Sequence, residues 1–177
     1  MDPFELLGAQ RRYDLDLAAL EKTHRELSRA LHPDQFAQSS ASERRAALEK
    51  AAAVNEAWRT VRDPIKRAEA LFRLEGFAVG ETNEPKPSPA FLMEVLEERE
   101  ALSEARAKKD LDKVRKLAAD ISVRADGVKQ KLAATFEKQN GSRDRAAIER
   151  ALPLLGELRF YRRFLDEVEA IEEEAFS

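Results

Sequence analysis

The chain has 177 residues, of which 37% are charged and only 7% aromatic, and its formal net charge is −3. Long stretches rich in Ala, Leu, Glu, Lys and Arg favour helices, and the low aromatic share argues against a sheet-rich fold, so an all-α protein is predicted. The near-balanced charge excludes a global attraction to nucleic acid or to an anionic membrane surface.

Cysteine is absent, which excludes disulfides and thiolate-ligated metal within the chain and fits a reducing compartment. His24 and His32 lack the spacing that puts two metal ligands on one helix turn, so neither a metal site nor a cofactor is expected. No apolar run approaches the roughly 20 residues that span a bilayer. The start MDPFELLG also lacks the basic region of a signal peptide. We therefore expect no membrane segment and a cytoplasmic location.

Two helices are predicted at the start of the chain from their caps. A short helix follows Asp2 and ends at Gly8. A second helix follows Asp16 and stops before Pro33, because the residue preceding a proline is driven out of the α region. His24 falls on the apolar stripe of this second helix, and we interpret it as a packing residue rather than a ligand or a base.

Two further helices are predicted before residue 78. The third begins at the capping box formed by Ser40 and Glu43, and the fourth runs from Pro64 to a stop at Gly76. Trp58, the only tryptophan, lies on the inward stripe of the third helix. It is predicted to be part of the core between the second and third helices, as large aromatic side chains usually are.

The stretch AVGETNEPKPSP at 78–89 contains three prolines and a glycine and separates two helical regions. We predict a first domain over residues 1–77, a linker over 78–88 and a three-helix bundle over 89–177. Within the bundle, Asn140-Gly141 marks the last turn. Pro153 predicts either a kink or a fresh helix start.

Two of the bundle helices carry apolar seams at alternating spacings of three and four. The middle helix repeats Leu111, Val114, Ala118, Ile121, Ala125, Val128 and Leu132. The last helix repeats Leu154, Leu158, Tyr161, Leu165, Val168 and Ile171. Such seams build antiparallel bundles joined by short loops.

The tripeptide His32-Pro33-Asp34 directly follows the second helix. Alone it has an ordinary explanation, with proline as a helix breaker, aspartate as a turn former and histidine placed against the helix dipole. The helix before it presents a basic face formed by Lys22, Arg25 and Arg29. Because this face runs into the turn, the two together form a positive surface suited to an acidic partner.

The first helix of the bundle carries an apolar band too wide for one buried seam. Its positions fall on three lines: Phe91, Val95 and Leu102; Leu92 and Leu96; and Met93, Glu97, Glu100 and Glu104. The band is either buried by a second neighbour, such as the first domain, or exposed as a binding patch with an acidic rim. Phe160 and Phe164 lie beside the seam of the last helix and offer aromatic side chains to the same place.

These motifs together resemble a known family. The first 77 residues, with FELLG, a basic second helix and the HPD turn, are similar to a J domain, the module by which J-domain co-chaperones engage Hsp70 chaperones. Most of the chain resembles the HscB-type co-chaperones of iron–sulfur cluster assembly, through the blocks MDPFELLG, YDLD, HPDQF, VNEAWRTVRDPIKRAEALFRLEGF, AFLMEVLEEREAL and LRFYRRFLDEVE. The Gly/Phe-rich region and zinc-binding cysteines of general DnaJ-type proteins are missing, which favours a specialised member.

The resemblance implies a co-chaperone adaptor with no active site of its own. It implies an Hsp70 partner of the HscA type, bound by His32, Pro33 and Asp34 and steered by Lys22, Arg25 and Arg29. It implies an iron–sulfur scaffold partner of the IscU type, bound by Leu92, Met93, Leu96, Glu97, Glu100 and Phe160, with Phe164 undecided. Since the chain has no cysteine, any cluster must be ligated by the partner.

Two other functions stay open at this point. The chain could be a J-domain co-chaperone for another Hsp70 and another client. It could also be an enzyme that uses His32 and Asp34 as an acid/base pair or in a metal site. The sequence has no Gly-rich loop, nucleophile elbow or HExxH pattern to complete such an active site.

Overall fold

The computed structural model describes residues 1–80, 85–137 and 144–175. These ranges contain helices and no strand, which confirms the predicted all-α fold class. The chain divides into two compact units, Met1–Phe77 and Ala78–Ser177. Across the described ranges, none of the helices combines the length and the apolar character needed to cross a membrane.

The first unit begins its helices at short polar side chains. Its elements are α1 (Pro3–Leu6), α2 (Leu17–Ala30), a 3₁₀ helix (Pro33–Phe36), α3 (Ala41–Arg62) and α4 (Pro64–Leu74). The carboxylates of Asp2 and Asp16 accept hydrogen bonds from N–H groups in the first turns of α1 and α2. Ser40 and Glu43 form the reciprocal capping box at the start of α3. The predicted caps are therefore confirmed, and each satisfies backbone donors that a helix start leaves unpaired.

The end of α4 is a Schellman-type cap. Gly76 adopts a φ of 84°, a left-handed conformation that glycine accepts without steric cost. The N–H of Phe77 then donates to the carbonyl of Phe72 at 3.0 Å, and the two rings meet edge to face with centroids 6.4 Å apart. This hydrophobic contact closes the first unit at the predicted glycine.

The contact between α2 and α3 corrects one prediction. Trp58 is half-buried rather than part of the core. It stacks on His24 with ring centroids 5.4 Å apart, and Nε2 of His24 lies 2.9 Å from Oδ1 of Asn55. α2 contributes no fully buried side chain. The tryptophan therefore lies at the edge of the contact between α2 and α3 and is not enclosed by it. The interpretation of His24 as a packing residue is confirmed.

Arg67 holds the segments of the first unit together from within, a role that the sequence pattern did not reveal. Its side chain is 7% exposed. The guanidinium donates through Nε to the carbonyl of Val61 at 2.6 Å, through Nη1 to that of Tyr13 at 2.8 Å and through Nη2 to that of Arg62 at 3.2 Å. It also lies 5.2 Å from the centroid of the Tyr13 ring. One residue thus ties the loop before α2 to the junction between α3 and α4.

Replacing Arg67 by methionine should lower the free energy of unfolding of the first unit by about 3 kcal/mol, because the carbonyls lose their donors while staying buried. Urea denaturation followed by circular dichroism measures this loss. Arg73→Met on the same helix is the matched control, since Arg73 pairs with Glu69 while being half exposed and should cost below about 1 kcal/mol. Equal losses in the two variants would contradict a special role for Arg67.

The second unit contains the predicted helices, with a break near Pro153. Its elements are α5 (Pro89–Ala107), α6 (Leu111–Phe136), α7 (Arg145–Arg150) and α8 (Leu152–Ala175). Pro153 lies in the first turn of α8, where its missing N–H leaves no helical bond unmade. The structure therefore shows a fresh helix start rather than a kink. The predicted turn at Asn140-Gly141 lies outside the described residues.

The buried face of the bundle is wider than the predicted seams. In α6, Val114, Ile121, Ala125, Val128 and Leu132 are buried as expected, while Leu111 and Ala118 are half-buried and Phe136 is added. In α8 the predicted Leu154 and Leu165 are only half-buried, and Leu155, Phe160 and Phe164 are buried instead. The reason is that α8 packs on both α6 and α5, which a single seam cannot satisfy.

Candidate functional site

The HPD turn is a 3₁₀ helix capped by its own histidine. Nδ1 of His32 accepts a hydrogen bond from the backbone N–H of Asp34 at 3.3 Å. Pro33 follows at the first helical position, where an N–H would have no partner. Because Nδ1 accepts, a neutral imidazole carries its proton on Nε2. Oδ2 of Asp34 lies 3.4 Å from the same Nδ1, a contact that becomes an ion pair only with a protonated ring.

The acidic end of the turn is open to solvent. The side chain of Asp34 is 87% exposed and that of His32 is 59% exposed. Among the described residues, no lysine or arginine pairs with the Asp34 carboxylate. An exposed carboxylate on a capped turn is positioned to accept charge-assisted hydrogen bonds from a guanidinium of another molecule.

The basic face of α2 is weaker than its sequence indicates. Lys22, Arg25 and Arg29 are all exposed. Arg25, however, donates to Oε1 of Glu21 at 2.6 Å, and this hydrogen bond lowers the pKa of the Glu21 carboxyl. Within the described ranges neither Lys22 nor Arg29 has such a partner. The face therefore presents two uncompensated cations and one largely neutralised one.

The first helix of the bundle presents large apolar side chains to solvent. Leu92 is 48% exposed, Met93 is 61% exposed and Leu96 is 63% exposed. Glu97 and Glu100 are exposed one turn further along α5. Clustered apolar side chains with a charged rim are typical of a protein interaction surface. We call Leu92, Met93 and Leu96 the α5 patch.

A groove between α5 and α8 adjoins the α5 patch. Its volume is about 280 Å³, and its lining includes Phe91, Leu92, Val95, Phe160 and Phe164. Phe160 is 8% exposed and Phe164 is 2% exposed, and the Phe91 and Phe160 rings meet edge to face with centroids 5.6 Å apart. The aromatic side chains thus form the inside of the groove, whereas Leu92 belongs to both the groove and the patch.

Gly156 allows a proline-containing segment to lie against α8 at the end of this groove. A Cβ on Gly156 would come within 3.0 Å of the carbonyl oxygen of Pro85 and 3.8 Å of Cδ of Pro87. Such a distance to a backbone oxygen is tighter than ordinary van der Waals contact. Sequence reasoning did not find this role, because nothing local distinguishes a glycine required by a neighbour 70 residues away in the chain.

Glu157, the next residue, makes the stability of the second unit depend on pH. Burial raises the pKa of its carboxyl above the ordinary value of 4.5, with Lys131 acting against the rise and Glu94 adding to it. The folded chain therefore binds this proton more tightly than the unfolded chain, and the carboxyl destabilises the fold as pH rises from 4.5 through the raised pKa.

Glu157→Gln should accordingly increase the free energy of unfolding near neutral pH, by less than about 1 kcal/mol, since the group is partly solvated. Below the ordinary pKa the gain should vanish, because the glutamate is then neutral in both states. Thermal unfolding at several pH values measures the difference. A gain that is the same at acid and neutral pH would contradict this cause.

Both candidate sites lie in parts of the chain that are similar to known proteins. Residues 87–169 match the family model described as the HSCB C-terminal oligomerisation domain. The solved structure of the chaperone HscB from Vibrio cholerae aligns with a TM-score of 0.82 and 28% identity, covering 98% of this chain and 99% of that chain. The crystal structure of the human co-chaperone protein HscB aligns with a TM-score of 0.83 and 23% identity, covering 97% of this chain and 82% of that chain. The human structure, at that identity, shows the shared fold alone.

Proposed function

We propose that this chain is an HscB-type co-chaperone, which its likeness to the HSCB C-terminal model over residues 87–169 and to the HscB structure from Vibrio cholerae supports. It stimulates the ATPase of an Hsp70 of the HscA type and delivers an iron–sulfur scaffold protein of the IscU type to it. Residues 1–77 act as the J domain, and residues 89–177 form the domain that binds the scaffold. Residues 78–88 are the linker between the two domains. The protein acts by binding, not by catalysis, in the cytoplasm. The observation that carries this proposal is the pairing of an exposed, capped HPD turn in one unit with an exposed apolar patch in the other.

The Hsp70 contact rests on charge and on a preformed turn. Asp34 accepts hydrogen bonds from an arginine of the Hsp70, while His32 and Pro33 hold the turn in the binding conformation. Lys22, Arg25 and Arg29 speed the encounter with an acidic surface. Since exposed charges are screened by salt, this contribution weakens at high ionic strength. Lys22 and Arg29 contribute more than Arg25, whose charge Glu21 already compensates.

The scaffold contact rests on apolar burial with an acidic rim. Leu92, Met93 and Leu96 lose solvent contact on binding, which supplies the affinity. Glu97 and Glu100 favour a scaffold surface that carries basic residues. Phe160 takes part from inside the groove beside Leu92. The cluster itself stays on ligands of the scaffold, because this chain contains no cysteine.

Holding both partners makes the adaptor more effective than either contact alone. A scaffold bound to one unit is presented to the Hsp70 bound by the other at a high effective concentration, limited by the length of the linker. Two contacts of modest affinity then act as one. The function therefore requires both sites on the same molecule.

The experiment is single-turnover ATP hydrolysis by a purified HscA-type Hsp70, with this protein alone and with the scaffold added. We expect stimulation by the protein and a further increase with scaffold. Stimulation that does not change when the scaffold is added would support the J-domain function but would indicate a different client protein. The absence of stimulation would contradict the Hsp70 contact, and release of product from ATP or another substrate by the isolated chain would favour an enzyme.

A further inference from the structure

The α5 patch lies on a part of α5 that buries little of its own surface. α5 is described along its whole length, and its buried side chains are those of Phe91, Leu102 and Ala105. The stretch between Phe91 and Leu102, which carries the patch, is at most half-buried. On its α8 side this stretch borders the groove of about 280 Å³. The position of the patch therefore depends on how the start of α5 is held.

Two hydrogen bonds of Ser88 join the start of α5 to the patch. The side-chain Oγ accepts from the backbone N–H of Phe91 at 3.2 Å, and the carbonyl accepts from the backbone N–H of Leu92 at 3.0 Å. Leu92 is the first residue of the patch and also lines the groove. Since both bonds belong to the first turn of α5, a displacement of Ser88 moves the backbone of Leu92 as well.

The segment before α5 is stiff and lies against α8. We call residues 85–87 the proline segment. Pro85, Pro87 and then Pro89 each fix their own φ angle and restrict the residue before them. A proline-rich segment of this kind transmits a displacement along the chain instead of absorbing it. Pro87 lines the same groove as Leu92. The proline segment is therefore a short, stiff connection between the surface of α8 and the start of α5.

The proline segment meets α8 at Gly156. A Cβ at this position would lie 3.0 Å from the carbonyl oxygen of Pro85 and 3.8 Å from Cδ of Pro87. The first distance requires the backbone of the segment to move by a few tenths of an ångström. Because residues 85–87 lie outside the helices, they can move without unfolding α8. Gly156→Ala would thus displace the proline segment and keep the fold.

We propose that Gly156 is a positioning residue for the scaffold site. By letting the proline segment lie directly on α8, it fixes the start of α5 and so the place of the α5 patch beside the groove. This inference rests on the proposed function, since it concerns the same scaffold contact. Gly156 is buried and acts through residues 85–88. Preorganisation of this kind raises affinity, because the binding side chains are already ordered before the partner arrives.

The test is titration calorimetry of the IscU-type scaffold with Gly156→Ala and Gly127→Ala. Both glycines lie inside long helices of the second unit, so both changes gain the same helix propensity. Within the described part of the chain, a Cβ on Gly127 would meet nothing within 4 Å outside its own helix, which makes it the matched control. We expect Gly156→Ala to weaken scaffold binding about fivefold. Gly127→Ala should stay within about twofold of the unchanged protein.

Further readouts separate positioning from a loss of stability. The unfolding temperature of Gly156→Ala should not fall, and the backbone amides of Phe91 and Leu92 should exchange with solvent faster than in Gly127→Ala. Pro87→Ala should weaken scaffold binding by itself, since it makes the proline segment flexible. Adding Gly156→Ala to Pro87→Ala should then cost little more, because the stiff connection is already lost. Stimulation of the Hsp70 without scaffold should be unchanged in every variant.

Scaffold binding by Gly156→Ala within about twofold of the unchanged protein would overturn the inference while the proposed function stands. An equal loss in Gly127→Ala, or effects of Gly156→Ala and Pro87→Ala that simply multiply, would also overturn it. The same holds for an unfolding temperature of Gly156→Ala low enough to explain the weaker binding. An unchanged protein that does not bind the scaffold would overturn the proposed function together with the inference.

Discussion

His32→Gln should abolish the stimulation of Hsp70 ATP hydrolysis, with a loss of at least about tenfold at every protein concentration. The imidazole Nδ1 accepts a hydrogen bond from the backbone N–H of Asp34 and so caps the start of the 3₁₀ helix. A glutamine side chain is longer and more flexible, and it cannot hold the same acceptor beside that N–H without losing rotamer freedom. The Asp34 carboxylate then loses the fixed position from which it binds. Single-turnover hydrolysis with excess protein measures the effect.

His24→Gln is the matched control for this change, since the chain contains only two histidines. His24 stacks on Trp58 and contacts Asn55 within the first unit. Its replacement should lower the unfolding temperature modestly and leave the stimulation in place. Full activity of His32→Gln, or equal loss of activity in both variants, would contradict the assignment of the HPD turn.

The triple substitution of Leu92, Met93 and Leu96 by alanine should weaken scaffold binding by at least about a hundredfold. Each side chain is about half exposed in the free protein and loses much of its apolar contact when shortened, at about 1 kcal/mol or more apiece. Alanine is a strong helix former, so α5 should keep its structure. Titration calorimetry with the scaffold measures the affinity, and stimulation of the Hsp70 without scaffold should be unchanged.

Val123→Ala serves as the control for the triple variant, because it removes exposed apolar atoms from another helix of the same unit. It should bind the scaffold normally. A triple variant that unfolds at a much lower temperature and loses both activities would show that the α5 patch supports packing. In that case the scaffold site would lie elsewhere.

Local chemistry explains why the helix starts could be predicted. Asp2, Asp16 and Ser40 each accept a hydrogen bond from the first turn of the helix that follows, and this preference depends only on residues within one turn. Pro153 likewise restricts its own backbone and that of its predecessor. All the residues that determine such a helix start lie within a few positions of one another, so the structure agrees with the predicted starts.

The one error and the missed or undecided positions concern residues whose environment is set by distant segments. Trp58 was predicted to be core, but its burial depends on how closely α2 approaches α3. Phe164 was undecided and is buried because α8 serves two neighbours. Arg67 and Gly156 gave no signal, since their partners are far away in the chain. Tertiary packing, not local preference, decides all four positions.

The candidate sites were predictable to different degrees. A band too wide for one seam left two possibilities for Leu92, Met93 and Leu96, burial by a second neighbour or exposure, and the structure shows them exposed. The HPD turn drew its meaning from the family resemblance. The compensation of Arg25 by Glu21 follows an ordinary spacing of four on a helix, and the sequence reasoning overlooked it.

The most direct test of the bridging function is a mixing experiment with two one-sited variants. The His32→Gln protein keeps the scaffold site, and the triple alanine protein keeps the Hsp70 site. Single-turnover ATP hydrolysis is measured with the Hsp70, the scaffold and an equimolar mixture of the two variants. If one molecule must hold both partners, the mixture gives only the stimulation seen without scaffold, while the unchanged protein gives the scaffold-dependent increase. A mixture as active as the unchanged protein would contradict the adaptor function.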